Sequence, residues 1–125
     1  MPTMPRILYV EDNDDNVAML KIRLEIEGFE VLVATDGISG VECVRREHPD
    51  LVLMDLDLPD IDGWEATRRI RGDASTRNIP VIALSAHAMP EHQAKATLVG
   101  CDHYETKPVD FARLVVAIRE LLSRS

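Results

Sequence analysis

Five polar residues stand where short apolar runs end. Glu11 and Asp12 follow one run, Asp55 closes a second, Ser85 closes a third, and Lys107 lies just past a weaker fourth. Brought together, these types suit phosphoryl transfer. Three carboxylates in a small volume repel one another, and without a cation some of them hold a proton. A hard divalent cation with oxygen ligands resolves this, and Mg²⁺ is the natural occupant because it needs few carboxylates and keeps waters. Asp55, kept ionised, is then a candidate nucleophile that forms an acyl phosphate. Lys107 would supply a point charge to the phosphoryl oxygens, and Ser85 a hydroxyl donor. In such a reaction the protein mainly positions groups and screens charge. Singly, each residue is ordinary: an acidic pair behind a strand often just caps a helix, and Lys-Pro is a common loop pair. Their coincidence at one rim is what gives them meaning.

The apolar runs cover residues 7–10, 31–34, 51–54 and 81–84, with a weaker candidate at 103–105. They are short, aliphatic or β-branched, and continuous rather than alternating, as strands buried on both faces are. Helical patterns lie between them. Val17, Leu20 and Leu24 trace one face of a first helix capped by Asn13 or Asp14; Ile38, Val41 and Val44 trace a second. A fourth, between Pro90 and Gly100, has few apolar positions, mainly Ala94 and Leu98, and Gly100 is expected to end it in a left-handed conformation. The last is the clearest, with Phe111, Leu114, Val115, Ile118, Leu121 and Leu122 on one face and Asp110 as cap. Residues 72–75 read as a loop. The alternation predicts an α/β fold: a doubly wound, five-stranded parallel sheet of order 2-1-3-4-5, flavodoxin-like, (βα)5. Its ligand site would lie beyond the strands' carboxyl ends, where the order reverses between strands one and three.

Composition narrows the function. A chain of 125 residues fits one domain, expected over 6–125 behind a disordered tail at 1–5. A net charge of −8 argues against nucleic acid as a ligand and against an anionic membrane surface. Cys43 and Cys101 form no CxxC and no metal-ligand spacing, which fits a reducing setting. The longest uncharged stretch, 78–90, is too short and too polar to span a bilayer, and no signal peptide is visible. The cytoplasm is the simplest location. His48, His87, His92 and His103 show no spacing that suggests a metal site.

These pieces resemble the receiver domain of two-component response regulators, in a form like the single-domain chemotaxis regulators. The matching runs are Val10-Glu11-Asp12-Asn13, Leu53-Met54-Asp55, Leu58-Pro59-Asp60 with Asp62-Gly63, Ala83-Leu84-Ser85-Ala86 and Thr106-Lys107-Pro108. The resemblance covers about residues 6–122. It implies that Asp55 is the phosphoacceptor and that the donor is a histidine kinase or a histidine phosphotransfer protein. Asp12 would bind Mg²⁺ directly, Glu11 largely through water, and Asp57 through its backbone carbonyl. Ser85 and Lys107 would contact the phosphoryl group. Tyr104 stands where the switch aromatic is expected, turning inward as Ser85 moves toward the phosphoryl group. The face of helix four, strand five and helix five would then change. A cis Lys107–Pro108 bond is also implied. The acidic pair is Glu-Asp rather than Asp-Asp, and the hydroxyl is Ser rather than Thr; both substitutions keep the needed groups. Asp57 and His87, two residues beyond Asp55 and Ser85, would flank the entrance.

Three other readings compete. Asp55-Leu56-Asp57 matches the Asp-x-Asp of haloacid-dehalogenase-type phosphatases, but that motif normally ends the first strand of a longer chain. A receiver excised from a hybrid histidine kinase or larger regulator is a second reading, favoured by the Ser85-Ala86-His87-Ala88-Met89 run. A receiver fold that no longer takes phosphate is a third, and the intact Asp55, Ser85 and Lys107 argue against it. A receiver catalyses its own phosphorylation and dephosphorylation but turns over no independent substrate, so the expectation is a non-enzyme. It is expected to be a monomer or weak dimer that signals to an unidentified protein.

Overall fold

The computed structural model describes residues 4–58 and 61–124. Residues 1–3 of the expected tail lie outside this range, as do Pro59 and Asp60 of the Leu58-Pro59-Asp60 run. Strands and helices alternate in the order β1 (Arg6–Val10), α1 (Asp14–Ile26), β2 (Glu30–Ala34), α2 (Gly37–Glu47) and β3 (Leu51–Asp55). There follow α3 (Gly63–Gly72), β4 (Val81–Ser85), α4 (Pro90–Val99), β5 (His103–Thr106) and α5 (Phe111–Ser123). All strand pairs are parallel and the sheet order is β2-β1-β3-β4-β5, the expected topology. The weak fifth run is a true strand.

The sheet divides the core in two, which is why its strands read as continuous apolar runs. On one side Leu8, Val10, Val52 and Met54 pack with Val41 and Val44 of α2, Ala66 and Ile70 of α3, and Ala96 of α4. On the other side Ile7, Tyr9, Leu51, Leu53, Ile82 and Leu84 pack with Leu20 and Leu24 of α1 and Leu114, Ile118 and Leu121 of α5. Asn13, Asp36, Asp62 and Asp110 each cap a helix by accepting a backbone N–H three residues on. No helix is long and apolar enough to cross a membrane among the described residues.

Two helical faces differ from the expected ones. In α2, Ile38 is 47% exposed, and the buried arc is Gly40, Val41, Cys43 and Val44. The Asp36 cap fixes where the helix starts, and at 100° per residue Ile38 falls outside an arc centred on Gly40 and Val44. In α4, Leu98 is 86% exposed and Ala94 is also exposed, while Ala96 is buried and Val99 packs against the core. His92, Ala96 and Val99 form the inward seam, at i, i+4 and i+7. The expected loop after the third helix begins beyond Gly72, which still belongs to α3. Gly100 ends α4 with φ 111°, in the left-handed region.

Candidate functional site

Parallel pairing sets all carboxyl ends of the strands at one rim. In register, Val10 lies beside Met54, Asp55 beside Leu84, and Ser85 beside Thr106. Glu11 and Lys107 each come one residue after their strands. The Glu11 N–H still bonds the Ala34 carbonyl at 2.9 Å, and the Lys107 N–H bonds the Ser85 carbonyl at 2.7 Å. The ladders thus fix both backbones before any side chain is placed. The Lys107–Pro108 peptide is cis.

Glu11 and Asp55 are buried, with 1% and 2% of their surface exposed, whereas Asp12 is exposed at the mouth. Each of the three offers a carboxylate oxygen, and these oxygens lie within 4.8 Å of one another. Asp55 Oδ1 accepts from Lys107 Nζ at 3.1 Å and from the Asp57 N–H at 2.9 Å. Lys107 Nζ also lies 3.8 Å from Glu11 Oε1. Burial pushes the Glu11 carboxyl up to about 7, and a hydrogen bond with Asp55 and the charge of Asp55 push it the same way. Burial opposes ionisation of Asp55 too, but hydrogen bonds from Glu11 and the Asp57 N–H, with the Lys107 ammonium, outweigh it and hold Asp55 below the usual carboxylate range. Below about pH 7 the pair therefore shares one proton, which rests on Glu11. All three donors are hard oxygens, and a small hard cation would take the place of that shared proton.

Ser85 is fully buried, and its Oγ accepts from the His87 N–H at 3.1 Å. Tyr104 is half-buried, and its hydroxyl donates to the His87 carbonyl. His87 thus links the two residues expected to act together. Its ring stacks on His92 of α4, with centroids 4.6 Å apart and planes 9° from parallel. Asp57 is exposed, and its N–H turns back to Asp55.

Several contributors carry no signal in the sequence. Asn16 Nδ2 and the Tyr9 hydroxyl both donate to Glu11 Oε1, at 3.1 and 3.3 Å. Asn16 sits one turn inside α1, at a distance from Glu11 that only the folded loop closes. Gly63 closes the Asp62-Gly63 pair, and a Cβ there would lie 2.3 Å from the Asp55 carbonyl oxygen. The start of α3 therefore presses on the backbone that carries Asp55, as only glycine allows. Glu105 of β5 is buried, with His103 Nε2 at 2.6 Å and Arg113 Nε of α5 at 3.6 Å. An acidic residue in a weak edge strand carried no signal of that burial.

Together, this fold and this rim define a flavodoxin-like α/β domain with an acidic, cation-type site at its topological switch point. Residues 7–119 match the response regulator receiver domain, and the chain belongs to that family, the receivers of two-component signalling. It is 34% identical over 116 residues to the polar-differentiation response regulator DivK of Brucella ovis, covering 93% of this chain and 94% of that one. A putative response regulator from Chloroflexus aurantiacus superposes with a TM-score of 0.92 at 27% identity, covering 97% of this chain and 99% of that one. The receiver domain of a sensor histidine kinase from Pseudomonas aeruginosa gives 0.89 at 34% identity, again covering 97% and 99%; it holds a magnesium ion coordinated in its active site cleft.

Proposed function

We propose that Asp55 accepts a phosphoryl group from a histidine kinase or a histidine phosphotransfer protein in a Mg²⁺-dependent reaction. The observation that carries this is the setting of Asp55: a buried, ionised carboxylate bonded to Lys107 and the Asp57 N–H, with Glu11 and Asp12 oxygens within 4.8 Å. An Asp55 oxygen forms the new O–P bond as the donor's P–N bond breaks, and the electron pair leaves on the donor imidazole nitrogen. Lys107 offsets the charge on the phosphoryl oxygens. Glu11, Asp12 and Asp55, with the Asp57 carbonyl, would hold Mg²⁺, which when bound neutralises charge on carboxylates and phosphoryl group alike. Asn16 and Tyr9 orient Glu11 for that task.

Signalling in this reading is a population shift. Ser85 Oγ leaves the His87 N–H for the phosphoryl group, and the Tyr104–His87 contact adjusts with it. The face of α4, β5 and α5 changes and alters binding of a downstream protein. The chain turns over no independent substrate. The buried free thiols of Cys43 and Cys101 fit a reducing compartment, the cytoplasm. Membership of the receiver family removes the ground for a haloacid-dehalogenase-type reading of Asp55-Leu56-Asp57. The likeness to a kinase-borne receiver supports a module of a hybrid kinase as the second context for the same chemistry.

The test is intact mass after incubation with Mg²⁺ and acetyl phosphate. The wild-type chain should gain one phosphoryl group and Asp55→Asn none. No gain, or an equal gain in Asp55→Asn, refutes the assignment.

A further inference from the structure

The cations of this acidic chain are nearly all engaged. Of 14 Lys and Arg residues, ten lie within ion-pair distance of a carboxylate among the described residues. Arg23 and Lys95 cover the rings of Phe111 and Trp64. Arg77 and Arg124 have neither kind of partner among the described residues. Both are exposed, and both line one recess of about 290 Å³.

That recess lies before the starts of β4 and β5, at the sheet edge opposite Asp55. Its floor is Arg71, whose guanidinium makes four hydrogen bonds. Nε donates to the Gly100 carbonyl at 2.8 Å, and Nη1 to the Arg77 and Ile79 carbonyls at 2.8 and 2.6 Å. Nη2 donates to Asp102 Oδ2 at 2.6 Å, and that same oxygen takes the Val81 N–H at 2.9 Å. A Cβ at Gly100 would lie 2.5 Å from Arg71 Cγ, a measure of how tightly this floor is packed. Arg71 thus grips the backbone of Arg77, and Asp102, the one acid of the lining, is already committed. Three guanidiniums face one carboxylate on a chain of net charge −8. Two of those guanidiniums donate to no side chain or carbonyl among the described residues, and Asn78 adds an amide at the rim. Two guanidinium forks and an amide offer more donors than the two oxygens of a carboxylate use. An anion with three or four oxygens matches them better.

We propose that this recess binds a phosphate-class oxyanion between Arg77 and Arg124, over the Arg71–Asp102 floor. The site is separate from Asp55. Because Arg71 also holds the Gly100 carbonyl, a ligand here sits against the end of α4.

The experiment is an NMR titration of the full chain, free of Mg²⁺ and at constant ionic strength, with inorganic phosphate, pyrophosphate and ADP in separate arms. Saturable shifts are expected at the Asn78 and Asp102 amides and at the side-chain N–H groups of Arg77 and Arg124. The double variant Arg77→Ala, Arg124→Ala should weaken binding at least about tenfold, since each loses charge-assisted bonds to the ligand. The arm that binds most tightly distinguishes a free phosphate from a diphosphate or a nucleotide. Shifts that rise linearly and are reproduced by sodium chloride would overturn the proposal. So would affinity unchanged in the double variant, with its fold verified by the same spectra.

Discussion

The proton shared by Glu11 and Asp55 makes Mg²⁺ affinity depend on pH in a way the structure specifies. Burial and the neighbouring Asp55 raise the Glu11 carboxyl to about 7, while Asp55 is held below the usual range and stays ionised above pH 6. The slope between pH 6 and 8 therefore belongs to Glu11. With a midpoint near 7, roughly nine-tenths of Glu11 is deprotonated at pH 8 and roughly one-tenth at pH 6. A cation that needs the ionised form should bind about tenfold more weakly at pH 6, a loss of about 1.4 kcal/mol. Isothermal titration with MgCl₂ at both pH values, each in two buffers of different ionisation enthalpy, reads affinity and proton release together. Close to one proton should leave per Mg²⁺ at pH 6 and almost none at pH 8. Glu11→Gln should flatten the slope while leaving every histidine in place. Equal affinity at the two pH values, with no proton released at pH 6, would refute the shared-proton account of the site.

The same group sets a stability trend. Its carboxyl is higher in the fold than the ordinary 4.5, so the stabilisation it gives is complete below that value and is lost as pH rises through about 7. Asp55 is shifted down, so its contribution is lost only under acid conditions and is constant here. Without Mg²⁺, thermal melts should show a lower Tm at pH 8 than at pH 6, and a smaller difference in Glu11→Gln. Gly63→Ala puts a methyl 2.3 Å from the Asp55 carbonyl oxygen, against backbone that cannot swing aside. It should cost about 1–3 kcal/mol in denaturant unfolding, as overpacking does, and should slow acetyl phosphate labelling of Asp55. Leu98→Ser should change stability by no more than about 0.5 kcal/mol, because the side chain is in water. Ala96→Leu, two residues away on the buried seam, should cost about 1–3 kcal/mol in the same assay.

Most of the fold was legible because its central strands, β1, β3 and β4, are buried on both faces. The run 81–84 has one secure reading, and four such runs with a weaker fifth, set between helical patterns, leave few topologies. The site followed from that order. Glu11, Asp12, Asp55 and Lys107 needed only to stand behind neighbouring parallel strands to meet, and the cluster forms without any long-range feature to guess. The details beyond this depend on rotamers and on loop closure. That Asn16 reaches Glu11, that Gly63 touches Asp55, or that Arg71 ties three loop carbonyls cannot be read from residue type and spacing. Each contact joins atoms whose separation is set by how elements dock.

The misreading of α4 has a physical cause that bears on function. Large apolar residues give a helix its phase, and α4 has only Leu98 and Val99, both in its last turn, with Leu98 pointing to water. The contact it makes instead runs through Ala96 and Val99, small groups that bury little area. Much of the remaining attachment is polar or aromatic: the His87–His92 stack, Lys95 over Trp64, and the Arg71 bond to the Gly100 carbonyl. Such contacts are exchanged for water at small net cost, whereas a buried leucine is not. An element held this way needs less free energy to shift than α5, whose Leu114, Ile118 and Leu121 are locked into the core. The His87 peptide, which receives Tyr104 and serves Ser85, stands at the loop leading into α4. The His87 peptide thus connects Ser85 to the helix least anchored by apolar burial, and the poor amphipathic signal of α4 is the sequence trace of that weak anchoring.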